Sequence, residues 1–246
     1  MSGEQSAPLR AGVIIIGSEV LTAKVADENG PFLLGRLRAL GVSVSRLVTV
    51  GDEVDEIVWA VRALRSRDDW IFITGGVGPT HDDITVAAVA RALGRRVERS
   101  PDLIALLRRH AGDDLPEEAL RMANVVAGTE LIPVDQTRLP AMVVDRIALL
   151  PGVPALARRQ FEAIAPRLQS PAVILREVYV DAYESVIAAA LDRVAIANPA
   201  VDIGSYPQFD AGEYKVKLTL ESRDGAAVQI AVEALLSALP HGSVVR

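Results

Sequence analysis

Two rhythms of apolar residues alternate along this chain. Residues 11–16 (AGVIII) form a short apolar run rich in β-branched side chains and ending at Gly17, the pattern of a strand buried on both faces. From Asn29 to Leu40 the apolar residues Phe32, Leu33, Leu37 and Leu40 fall at helical spacing. Pro31 stands in the first turn and Gly41 just past the end, the asymmetry a helix favours. The rhythm then repeats: a strand over 42–50, a helix over 53–66, a strand over 70–74, and a helix from near His81 to Gly94. Strand and helix in strict alternation predict right-handed crossover units and a mostly parallel sheet sandwiched between helices, a three-layer α/β architecture.

The pattern loosens after Gly94. Residues 101–110 and 116–122 predict helices with proline in the first turn, and 130–134, 141–145 and 146–150 predict short strands. Pro151-Gly152-Val153-Pro154 separates the last of these from a helix over 155–168. Beyond Gln169-Ser170-Pro171 the order changes to strand (173–180), helix (183–197), strand (201–206), strand (213–220), helix (226–239), with 243–246 as a candidate final strand. That order fits a small α+β, ferredoxin-like unit. The expected organisation is a loose tail over 1–10, a larger domain over 11–168 and a smaller one over 171–246.

Composition narrows the chemistry. With 246 residues, half of them hydrophobic, the chain can bury a core without covalent staples. Twenty-six Lys and Arg against 32 Asp and Glu give a net charge of −6, which argues against a nucleic-acid partner. The absence of cysteine excludes disulfides, thiolate metal sites and a cysteine nucleophile, and three histidines are too few for a multi-histidine metal centre. No stretch approaches the ~18 uninterrupted apolar residues of a membrane span, and the polar N-terminus lacks the apolar segment of a secretion signal. A soluble cytoplasmic protein without membrane association is expected. Trp59 and Trp70 read as core or interface residues, and the pairs Arg95-Arg96, Arg108-Arg109 and Arg158-Arg159 as solvated helix ends.

The chemistry concentrates in residues 74–85, Thr74-Gly75-Gly76-Val77-Gly78-Pro79-Thr80-His81-Asp82-Asp83-Ile84-Thr85. They follow a buried strand and lead into a helix, at the carboxyl edge of the sheet where α/β folds bind ligands. Glycines let the main chain approach a ligand, and their amides with the helix N-terminus form an anion cradle. The plain structural alternative is a tight turn with Thr80 or Asp82 as N-cap. A P-loop is excluded because no lysine follows, and a dinucleotide fingerprint because His81 stands where its third glycine belongs. Asp82 and Asp83 would face the same anion. A helix terminus offers about 0.3–1 kcal/mol, whereas two like charges at about 4 Å repel by about 4 kcal/mol at an effective dielectric near 20. A divalent cation bridging carboxylate and phosphate resolves the conflict, so a metal-dependent phosphate or pyrophosphate site is expected. Gly17-Ser18-Glu19 follows the first strand, the expected neighbour of the third, and should face the same crevice. Asp27 and Asn29 either complete its rim or cap the next helix.

Taken together, Gly17-Ser18-Glu19-Val20-Leu21, Asp27-Glu28-Asn29, Val50-Gly51-Asp52, the 74–85 string and Leu150-Pro151-Gly152-Val153-Pro154 resemble the CinA-like group of the MoaB/Mog molybdopterin-binding superfamily. Gly204-Ser205-Tyr206-Pro207 extends the likeness into the smaller domain. The resemblance implies a crevice for a pterin or nucleotide diphosphate, with Asp83 as the family's common aspartate and Asp82 as the extra carboxylate of the branch linked to FAD synthase. Metal-dependent hydrolysis of ADP-ribose or similar dinucleotides is known in that branch. It implies Asp82 and Asp83 as catalytic and metal-holding residues, with magnesium or a similar divalent ion as cofactor. The ligand-binding set is Gly17, Ser18, Glu19, Thr74, Gly75, Gly76, Gly78, Pro79, Thr80, Thr85, Pro151 and Gly152. The sequence departs from the pattern where Ser18 replaces an acid, and at Arg121-Met122-Ala123 and Arg138-Leu139-Pro140-Ala141. The nicotinamide-nucleotide deamidase domain that follows in full-length CinA is not expected here. The alternatives are a molybdopterin-binding or adenylylating module of cofactor assembly, or a non-catalytic scaffold. A homo-oligomer, at least a dimer, is expected.

Overall fold

A computed structural model describes residues 7–112, 114–135, 139–209 and 212–245. The chain divides into two compact units, Met1–Pro171 and Ala172–Arg246. In the first, strands β1 (Arg10–Ile16), β2 (Ser43–Val50), β3 (Trp70–Thr74), β6 (Glu130–Ile132), β7 (Ala141–Val144) and β8 (Ile147–Leu150) form one six-stranded sheet in the order β2-β1-β3-β8-β7-β6. The four strands β2, β1, β3 and β8 run parallel, while β7 and β6 are antiparallel additions at one edge. β1 and β3 are direct neighbours, with Ala11 opposite Trp70 and Ile15 opposite Thr74.

Both faces of the sheet are covered, which explains the uninterrupted apolar strands. On one side Val13 and Ile15 of β1 and Trp70 and Phe72 of β3 pack with helices α2 (Asn29–Ala39) and α7 (Pro154–Ile164), where Phe161 meets Phe72 with ring centroids 5.2 Å apart. On the other side Ile14, Ile16, Ile71 and Ile73 pack with α3 (Val54–Arg65) and α4 (Thr85–Leu93). Trp70 is buried in the core, whereas Trp59 of α3 is 56 % exposed, which leaves the interface as the one of its two expected roles that it can fill. Arg95 and Arg158, expected to be solvated helix ends, are both engaged, with Asp145 and Glu28 respectively.

Several short elements escape the hydrophobic pattern: α1 (Ser18–Leu21), and the two-stranded ladder of β4 (Val97–Arg99) with β5 (Asn124–Val126). Helix α5 (Pro101–Ala111) starts at Ser100, whose hydroxyl accepts from the N–H of Leu103, and Leu103 packs on Ala123 and Val125. Residues 116–122, expected as one helix, divide into α6 (Glu117–Leu120) and a 3₁₀ turn over Arg121–Ala123. β1 begins at Arg10, and residues 1–6 of the expected tail lie outside the described residues, as does Arg138.

β7 and β8 are joined by Asp145 and Arg146, both left-handed (φ 47° and 62°), without a glycine. Such a two-residue connection matches the twist of the strands it joins. Asp145 is held by Arg95 Nη2 at 2.8 and 2.7 Å and by Arg65 Nη2 at 3.2 Å.

The second unit contains β9 (Ile174–Val180), α8 (Glu184–Ala197), β10 (Asp202–Pro207), β11 (Val216–Ser222) and α9 (Gly225–Ala238). Its antiparallel sheet has the order β10-β11-β9 and packs Val178, Val180, Val216, Leu218 and Leu220 on one face against the helices. The candidate fourth strand contributes only a single bridge, Val180 to Val244.

Candidate functional site

At the carboxyl edge of the six-stranded sheet lies a cavity of about 730 Å³, within the range of small-molecule sites. Its floor is the turn after β3. Gly75 and Gly76 have φ of +101° and +63°, and a Cβ at Gly75 would overlap the carbonyl oxygen of Ile16, while one at Gly76 would overlap Thr85 Oγ1. Glycine is therefore required at both. The turn is knitted to its surroundings by Gly75 N–H to Leu150 O (3.1 Å), Thr85 N–H to Gly76 O (3.0 Å) and Thr85 Oγ1 to Gly75 O (2.8 Å).

These bonds explain why α4 starts at Thr85 and not near His81. The Asp83 carboxylate accepts from the N–H and hydroxyl of Thr80, at 2.7 and 2.5 Å, so residues 80–83 close a turn of their own. Neither Thr80 nor Asp82 caps the helix; its N-cap is Ile84, without a side-chain hydrogen bond. The Thr80 hydroxyl, followed by the main-chain N–H of Asp82 itself and by His81, also holds the exposed Asp82 carboxyl below the ordinary carboxylate range. His81 is almost wholly solvent-exposed and its Nδ1 lies 4.0 Å from Asp82.

Of the residues expected to bind ligand, Glu19, Gly75, Gly76, Gly78, Pro79, Asp82, Asp83, Pro151 and Gly152 line the cavity. Gly17, Ser18, Thr74, Thr80 and Thr85 do not; they support those that do. Ser18 takes part in a reciprocal pair, donating its N–H to Asp52 Oδ2 (2.8 Å) and accepting the Asp52 N–H on its hydroxyl (3.2 Å). That exchange pins α1 to the β2–α3 connection and turns Asp52 toward the cavity as a lining carboxylate. Thr74 is buried and accepts from Asn29 Nδ2 (3.3 Å).

Asp27 and Asn29 separate into the two roles weighed for them. Asp27 accepts the N–H of Gly30 (2.9 Å), an ordinary cap. Asn29 is buried and reaches from the start of α2 to Gly152 O (2.9 Å) as well as Thr74, joining the loops after β3 and β8 while its Oδ1 has no partner.

In the apolar lining, Met122, Leu139 and Pro140 fall in the two segments where the sequence departs from the family pattern, whereas Leu103, Met142, Leu156 and the amide of Gln160 had no signature in the sequence. These residues come from α5, the 3₁₀ turn, the stretch before β7, β7 and α7, and only the fold brings them together. Asp52 had one, since Gly51-Asp52 follows a strand edge as Gly17-Ser18-Glu19 does.

Four carboxylates (Glu19, Asp52, Asp82 and Asp83) and no lysine, arginine or histidine line the cavity among the described residues. No group of three or more acidic or histidine side chains there converges on one point. That suits a hard divalent ion taken up by one or two carboxylates together with substrate oxygens, not one enclosed by protein ligands alone.

Residues 12–170 match the family described as probable molybdopterin binding domain, and residues 172–246 match the FAD synthase middle domain. Among relatives, a protein of Archaeoglobus fulgidus is 33 % identical over 90 % of this chain and 94 % of its own length. A probable FAD synthase of Caenorhabditis elegans is 28 % identical over 92 % of this chain, and a CinA-like protein of Thermotoga maritima 29 % identical over 92 %. The chain spans 49 % and 58 % of those two proteins' lengths. The crystal structure of CinA from Thermoplasma acidophilum, a protein described as of unknown function, aligns with a TM-score of 0.62 at 30 % identity, over 66 % of this chain and 99 % of that one. No helix among the described residues is long and apolar enough to cross a membrane. By the match of its larger unit the chain belongs to the probable molybdopterin-binding domain family, in the company of CinA-like proteins and FAD synthases.

Proposed function

We propose that the cavity binds a nucleotide diphosphate, an adenine dinucleotide such as ADP-ribose or FAD, and cleaves its pyrophosphate with a divalent cation. The observation that carries this reading is the pairing of a bare main-chain turn, Gly75 to Gly78, with four carboxylates and, among the described residues, no basic side chain in the cavity lining. Main-chain N–H groups recognise phosphate oxygens without a formal charge, so the charge has to be balanced from outside the protein. A divalent ion such as magnesium, held through Asp82 and Asp83, would supply that balance and Lewis-acid polarisation of the phosphate.

The rest falls to the chain's own residues. Asp83 is restrained by Thr80 through Oδ2, and its carboxylate lies against Gly78, where a Cβ would stand 2.7 Å from Oδ2 and 3.1 Å from Oδ1. Asp82 stays ionised well into acid and is therefore a holder of positive charge, not a proton donor. Glu19 and Asp52 line the same cavity and repel any second anionic group that arrives without a cation. The similarity to proteins named FAD synthase supports an adenine dinucleotide.

A second reading, pterin binding without hydrolysis, is favoured by the name of the matching family alone. Incubation of the purified chain with ADP-ribose and FAD, with magnesium, manganese or cobalt and with chelator, should yield mononucleotide products only where metal is present. No turnover by wild type under any of these conditions, with tight binding of a pterin diphosphate, would replace the first reading by the second.

A further inference from the structure

The cavity changes character from one side to the other, and strand order dictates how. Across the carboxyl edge in the order β2, β1, β3, β8, β7 the lining passes from Asp52 and Glu19, through the Gly75–Gly78 main chain, to Pro151–Val153 and then Met142. With strands about 4.8 Å apart, the end of β7 stands roughly 10 Å from that of β3. Leu103, Met122 and Leu156 make the β7 side apolar, and among the described residues a single polar side chain, Gln160, interrupts it.

Gln160 is 6 % exposed. Its Nε2 donates to the carbonyl oxygens of Leu139 (3.4 Å) and Pro140 (3.2 Å). Those two bonds fix which way the amide faces. Gln160 lines the ligand-sized cavity, and among the described residues the hydrogen bonds of its side chain all leave from Nε2, so Oε1 is the end of the amide still open to an incoming donor. An acceptor held in a fixed orientation beside apolar surface is suited to one kind of group.

We propose that Gln160 determines specificity: its Oε1 accepts a hydrogen bond from an N–H on the edge of a planar nitrogen heterocycle lying on the Leu103–Met142–Leu156 surface. The proposal rests on the reading above in that the same ligand places its phosphate on the Gly75–Gly78 turn. The amino group of adenine and the amino group of a pterin both supply such an N–H. A ring edge that offers only acceptors or carbon is disfavoured, because it covers Oε1 without giving it a donor.

Calorimetric titration in the presence of Mg²⁺ tests this with matched pairs of probes. The pairs are ADP and purine riboside 5′-diphosphate, which lacks the amino group; adenosine and purine riboside, which lack phosphate; and 6-hydroxymethylpterin diphosphate and its 2-deamino analogue. Inorganic pyrophosphate serves as the ringless control. Wild type should favour the amino member of at least one diphosphate pair by roughly 3- to 10-fold, the worth of one neutral hydrogen bond, and the pair that discriminates identifies the ring. Gln160→Met should bring that ratio to about one while pyrophosphate binds as before; Gln160→Leu serves if the methionine variant loses thermal stability. If Gln160→Met weakens every probe by one factor, Gln160 is a strut for Leu139 and Pro140 and the proposal fails. It fails equally if the preference survives the substitution, or if no probe binds. Discrimination between adenosine and purine riboside, without pyrophosphate binding, would uphold Gln160 and overturn the phosphate reading instead.

Discussion

Gly75 and Gly78 lie three residues apart in one turn, yet the structure assigns them opposite sensitivities to a single methyl group. At Gly75 the backbone sits at φ +101°, where an L-residue is strained, and the new Cβ would overlap the Ile16 carbonyl oxygen in the middle of the sheet. Left-handed strain of about 1–2 kcal/mol and a displacement of packed backbone of about 1–3 kcal/mol together predict that Gly75→Ala destabilises the larger unit by roughly 2–5 kcal/mol. At roughly 2–4 °C per kcal/mol for a domain of this size, its melting temperature should fall by roughly 5–20 °C. At Gly78 the methyl would meet only the Asp83 carboxylate, 2.7 Å from Oδ2 and 3.1 Å from Oδ1, the end of a movable side chain. Gly78→Ala should change stability by no more than about 1 kcal/mol, the worth of the Asp83–Thr80 contact it disturbs, but should displace Asp83 and weaken ADP-ribose binding at least tenfold. Both tryptophans, Trp59 and Trp70, belong to the larger unit, so their fluorescence during urea and thermal unfolding follows that unit by itself, and calorimetry reports the ligand. Equal destabilisation by the two substitutions, or wild-type affinity in Gly78→Ala, would refute the division of labour derived for this turn.

Three further outcomes follow from the same geometry. Asn29→Ala removes the link between Thr74 and Gly152 and should lower stability by about 1–3 kcal/mol in urea unfolding, because the carbonyl of Gly152 loses its donor; no change would mean the two loops hold each other without it. Asp82 is depressed by bonds to its ionised form, so that stabilisation is complete above the ordinary carboxylate pKa and disappears only as pH falls through the lower folded value. Thr80→Val should raise the Asp82 titration toward the ordinary value in carboxyl NMR, and an unmoved titration would contradict the role of the hydroxyl. Asp82→Asn and Asp83→Asn should each reduce metal-dependent cleavage of ADP-ribose by at least 100-fold with little change in melting temperature, and chelation should abolish it in wild type; undiminished turnover in either variant would remove that carboxylate from the site.

The architecture was legible because each long element of the larger unit repeats one period without interruption. β1 and β3 alternate Val13, Ile14, Ile15 and Trp70, Ile71, Phe72 between the two helical layers, which no exposed strand does. Boundaries were lost where hydrogen bonding overrode propensity. His81 to Ile84 has the composition of a helix start, but Thr80 captures the Asp83 carboxylate, and Gly76 the N–H of Thr85. The three-residue strands β4 and β5 are too short to show a period at all.

The site was legible on its polar side, where glycines and aspartates are adjacent in sequence, and legible on its apolar side only at Met122, Leu139 and Pro140, because five separate segments meet there. Ser18 shows the limit of motif reading. Its place in the first loop suggested ligand contact; in the structure its N–H and hydroxyl pair with Asp52, and Asp52 is the residue of the two that lines the cavity.

The glycine-free connection between β7 and β8 bears on the opposite edge of the six-stranded sheet. Two left-handed residues with side chains, steadied by Arg65 and Arg95, define which residues of the hairpin stand opposite one another: Met142 with Leu149, Val143 with Ala148. A slip of one position would rotate Met142 away from the cavity and present Val143 there. Two arginines outside the cavity lining therefore act as the calibration of the pocket, and its shape can drift through changes on a distant face.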